Sequence, residues 1–183
     1  VGTPCYVGVN APAGPAIVRA RYIHDGCPSS LIPQLRGIWA ATTRRDTNAL
    51  IEAVLAYDWA YLRSDITPDT QSLPGQNSVA GIGMTLGDTD PEPATVFPLH
   101  RAVDLGASWI YLINPADSTV TVYGGDGDPV GIHRLHDPTE PEERPARRPH
   151  AACLFPRHAA PGSHTLTPAR PRHRLAMGCR RTG

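Results

Sequence analysis

From residue 138 to residue 183 the chain changes material. Eight Pro, nine Arg and four His fall among these residues, and Leu154, Phe155, Leu166, Leu175 and Met177 are almost the only large apolar side chains. Fixing one residue's backbone costs about 1–2 kcal/mol of conformational entropy. So few apolar groups cannot offset that cost over such a length, and the sequence predicts a disordered, low-complexity Pro/Arg-rich tail. The fold must then come from residues 1–137, a length suited to one domain. GC-rich DNA read out of frame yields a similar composition, so a shifted reading frame is the duller alternative account of the tail.

Charge follows the same division. The formal net charge is zero, yet residues 1–137 carry 8 Arg against 14 Asp and Glu, and the tail carries 9 Arg against 3 Glu. The segments RPARRPH and RPRHR make nucleic acid a candidate partner through salt-dependent phosphate contacts. No helix-turn-helix or RNP signature accompanies them. All 17 basic residues are Arg, and with Val1 this fits a GC-rich bacterial gene with a GTG start. No run of about 18 apolar residues exists, so no membrane partner is expected. The opening VGTPCYVGVN lacks a basic segment followed by an apolar core, and a cytoplasmic location is the expectation. Cys5, Cys27, Cys153 and Cys179 form no C-x-x-C pair; Cys5 and Cys27 read as inert core thiols.

Residues 5–9 alternate as a strand, and NAPAG at 10–14 supplies a turn before a second strand over 16–24. Ile17, Arg19, Arg21 and Ile23 share one face of it; Val18, Ala20, Tyr22 and His24 share the other. Residues 29–41 read as a short helix capped by Ser29 or Ser30, with Pro33 tolerable only in its first turn. Residues 46–62 read as one long amphipathic helix, with Ile51, Val54, Leu55, Trp59 and Leu62 at three- and four-residue spacing. A loop over 66–78, a glycine-weakened strand over 79–86 and a second loop over 87–95 follow. Then come a short helix ending at Gly106 and a central hairpin over 108–125. Strands at both ends with helices between them predict an α+β fold: a mainly antiparallel sheet with two central helices packed on it, followed by the tail.

The stretch RYIHDGCPSSLIPQL holds the densest candidate chemistry. His24 and Asp25 could serve as a base and its orienter, or as metal ligands, in a hydrolase or nuclease. Turn requirements explain the same residues: Asp can bond its own downstream backbone, Gly26 can take a positive φ, and Pro28 stiffens the start of a helix. Neighbouring side chains on a strand also point to opposite faces. In GIHRLHD, His133, His136 and Asp137 are candidate metal ligands if they share a helical turn. The Asp126–Asp128 loop lacks the length and closing Glu of a calcium loop. GIGMTLG has neither G-x-G-x-x-G nor G-K-[ST], so no cofactor is expected.

Several of these segments resemble a group of uncharacterised small proteins of actinobacteria and their phages. Those proteins open M-G-T-R-S and carry H-x-D-G-Y-P ahead of a helix. Here Val1-Gly2-Thr3-Pro4-Cys5 and His24-Asp25-Gly26-Cys27-Pro28 stand at the two motifs. Residues 43–62 resemble the group's second helix and residues 109–123 its aromatic hairpin. Pro4 replaces Arg, Cys27 replaces Tyr, and the residue between His and Asp is missing. The resemblance implies a phage or mobile-element setting and no particular reaction. With no catalytic pair supported by geometry, the sequence favours a non-catalytic protein that binds an unidentified protein or small molecule; the alternative is a metal-dependent hydrolase or nuclease at the His24–Asp25 corner.

Overall fold

Alternating side chains in the N-terminal hairpin set up the two faces around which the rest packs. β1 (Cys5–Asn10) and β2 (Ile17–Ile23) pair antiparallel, with Cys5 opposite Ile23 and Val9 opposite Arg19. Cys5, Val7 and Ile23 fall on one face, Tyr6, Val18 and Ala20 on the other. A computed structural model of the chain describes residues 2–14, 16–87 and 93–136. The expectation of a disordered tail over residues 138–183 lies outside those residues, as does Asp137.

Pro28 opens α1 (Pro28–Gly37) at the first helical position, where a missing N–H costs nothing. Its N-cap is Cys27 without a side-chain cap, so neither Ser29 nor Ser30 fills the role expected of them. Pro33 lies inside the helix, beyond the first turn. Ser29 and Pro33 are both exposed, so water can serve the carbonyl that Pro33 leaves without a donor. A π-helical turn, Ile38–Thr42, continues from α1 and brings Trp39 inward. The Trp39 indole Nε1–H donates to Thr47 Oγ1 at 3.0 Å.

α2 (Thr47–Leu55) starts as expected, with Asp46 accepting from the amides of Asn48 and Ala49. It stops about two turns sooner than expected, and Trp59–Leu62 form strand β3. Arg21 accounts for the stop. Its guanidinium, on a side chain almost wholly buried, donates to the carbonyls of Leu55 at 3.0 Å and Ala56 at 3.4 Å. Asp58 then accepts from the Tyr22 amide at 3.0 Å, tying the chain to β2. Trp59 and Leu62 are buried as the helical reading required. They reach the same core from a strand because a register shift between Trp59 and Tyr61 turns two residues three apart to one side.

The expected strand over 79–86 is instead two short strands, β4 (Ser78–Val79) and β5 (Gly83–Thr85). Gly81 turns between them at φ +70°, a conformation that favours glycine. β6 (Thr95–Pro98) lies between the expected loop over 87–95 and the expected short helix from Pro98, where no strand was expected, and a 3-10 helix (Leu99–Leu105) ends at Gly106 with φ +73°. β7 (Trp109–Asn114) and β8 (Thr119–Gly124) form the expected hairpin, and β9 (Pro129–Arg134) adds a third, unexpected strand.

The sheet runs β4-β5-β3-β2-β1-β7-β8-β9, with β6 also paired to β2. It is mixed: β7 lies parallel to β1 and β3 parallel to β2, which corrects the expectation of a mainly antiparallel sheet. The helices between the N-terminal hairpin and the later strands provide the crossover that parallel neighbours need. On one face, Leu31, Leu35, Ile38, Leu50 and Val54 share a core with Cys5, Val7, Ile23, Tyr111 and Val120. On the other, Ala102 of the 3-10 helix packs with Tyr6, Phe97, Ile110 and Leu112. Among the described residues no helix is long and apolar enough to cross a membrane.

Candidate functional site

The segment after β2 is held from three directions. The His24 and Asp25 amides donate to the carbonyls of Trp59 and Ala60 at 2.8 and 3.1 Å, and the Gly26 amide donates to Thr3 at 3.0 Å. From beneath, the buried Tyr111 hydroxyl donates to the Gly26 carbonyl at 3.0 Å. A Cβ on Gly26 would stand 2.6 Å from Cys5 Sγ, so the close approach itself demands glycine. Burial pushes the Cys5 thiol well above its ordinary range, and the nearby Asp25 and Cys27 push it the same way.

Onto this frame the two candidate groups project separately. Asp25 Oδ1 accepts the Thr3 amide at 3.3 Å. The His24 Nδ1 lies 3.3 Å from the Tyr22 hydroxyl, its neighbour on the same side of the strand. Both residues are exposed, and no hydrogen bond joins them. Cys27 is half-exposed, which departs from the reading of a core thiol; its Sγ lies 3.2 Å from Ser29 Oγ and 3.3 Å from Ser30 Oγ.

The C-terminal histidines occupy another part of the sheet. His133 lies on β9 opposite Val120, and His136 is exposed in the turn beyond, so the helical turn that would align them is replaced by a strand. Four inter-strand steps separate β2 from β9. At roughly 4.8 Å per step, the His24–Asp25 corner and these histidines stand about 19 Å apart across the sheet. Among the described residues no group of three or more His, Cys, Asp or Glu side chains lies close enough to hold a metal ion. Asp137, the third proposed ligand, lies outside them.

Two concavities lie away from the corner. One, of about 280 Å³, sits where the parallel strands β1 and β7 end, against the first turn of α2. Asn10, Arg19, Asn48 and Asn114 rim it over a floor that includes Ile51 and Ile113. The other, of about 470 Å³, lies between α1, the π-turn and the exit of β9, and is lined in part by Arg36, Trp39, Arg45, Leu135 and His136. Sequence reasoning had no signal for either, because their lining residues are scattered along the chain.

No protein-family model matches the chain, and neither a curated protein nor a solved structure is found to be similar to it.

Proposed function

We propose that this is a non-catalytic binding protein of a phage or actinobacterial setting, acting in the cytoplasm on a small-molecule or protein partner. The observation that carries the reading is the divergence at the corner: Asp25 engages the Thr3 amide and His24 the Tyr22 hydroxyl, with no bond between them. A base works through a partner that fixes its orientation and proton position, and here the carboxylate is committed to the N-terminal segment instead. The resemblance of residues 1–125 to actinobacterial and phage proteins supports the setting.

The test is hydrolysis of a chromogenic phosphodiester and a chromogenic ester, each with and without Mn²⁺ or Zn²⁺, by the wild type and by Asp25→Ala. No turnover above the protein-free control is expected from either. Metal-dependent turnover that disappears in Asp25→Ala would replace the binding reading with a hydrolase or nuclease at the corner.

A further inference from the structure

We draw no further inference here: the strongest candidate, the concavity where β1 and β7 end against the first turn of α2, is rimmed by the exposed side chains of Asn10, Arg19, Asn48 and Asn114, and no contact among the described residues draws these groups together on one point, so nothing in the structure shows what it would hold.

Discussion

A Cβ on Gly26 would press on Cys5 Sγ, and the Tyr111 phenol donates to the Gly26 carbonyl inside the core. The corner's shape is thus set by Gly26, Cys5 and Tyr111, while Asp25 makes an exposed contact. Tyr111→Phe leaves that carbonyl without its phenol donor and should cost about 1–3 kcal/mol. Asp25→Ala should cost under about 1 kcal/mol, because water can replace an exposed acceptor. Urea denaturation of both variants decides; an equal or larger loss in Asp25→Ala would show that the carboxylate holds the corner. Of the turn reading, Pro28 at the start of α1 held; Asp25 accepts from Thr3 rather than from its own downstream backbone, and Gly26 is demanded by its close approach to Cys5 rather than by a positive φ. The partners Thr3 and Tyr111 were not legible, since they arrive from other strands.

Cys5 makes the same corner sensitive to alkali. Its thiol is raised, chiefly by burial, so as pH climbs past the ordinary thiol value of about 9 the unfolded chain loses this proton first. The contribution to stability is complete below that pH and is lost as pH rises toward the folded-state value. Tyr6 and Tyr22, raised by burial and by Asp58 among their neighbours, extend the loss to higher pH. Cys5→Ala should be less stable at neutral pH yet show a shallower decline from pH 9 upward in urea titrations. Parallel declines in the two proteins would rule out this thiol as a source of the alkaline limb.

At the scale of elements, α2 and β3 show how a correct core assignment can accompany a wrong secondary structure. Val54, Trp59 and Leu62 are buried, as the helical spacing demanded. The bulge in β3 reproduces a three-residue spacing that a regular strand would not. What ends α2 is Arg21, and its long-range bonds leave no mark on residues 46–62. Arg21→Met should cost about 2–3 kcal/mol, since it uncouples two helix carbonyls and the Asp58 carboxylate 3.8 Å away. Asp58→Asn should cost less, because that side chain is 38% exposed. If Arg21→Met unfolds at the wild-type urea concentration, some other contact ends the helix. β9 escaped notice for the opposite reason: its apolar Val130 and Ile132 face outward, while His133 points toward the core face, so its alternation carries no core signature.

For the whole molecule, the expected division near residue 137 rests on composition summed over many residues rather than on any one contact, and the residues beyond it lie outside those described. The parallel placement of β7 beside β1 was not legible, since periodicity marks strands without ordering them. The concavity between α1, the π-turn and β9 was equally hidden, its described lining residues coming together only after α1 and β9 converge. Among the described residues the buried core runs from Cys5 to Leu135. A chain ending at residue 137 should therefore unfold at the same urea concentration as the full chain; a lower midpoint would make the tail part of the folded unit. The same pair of proteins tests nucleic-acid binding by the nine tail arginines. Each phosphate neutralised on duplex DNA should contribute about −0.9 to the slope of log affinity against log salt. The full chain is expected to elute from immobilised DNA at rising salt, and the shortened chain, with its excess of acidic residues, to pass through unretained. Equal retention of both proteins would remove the tail from any role in nucleic-acid binding.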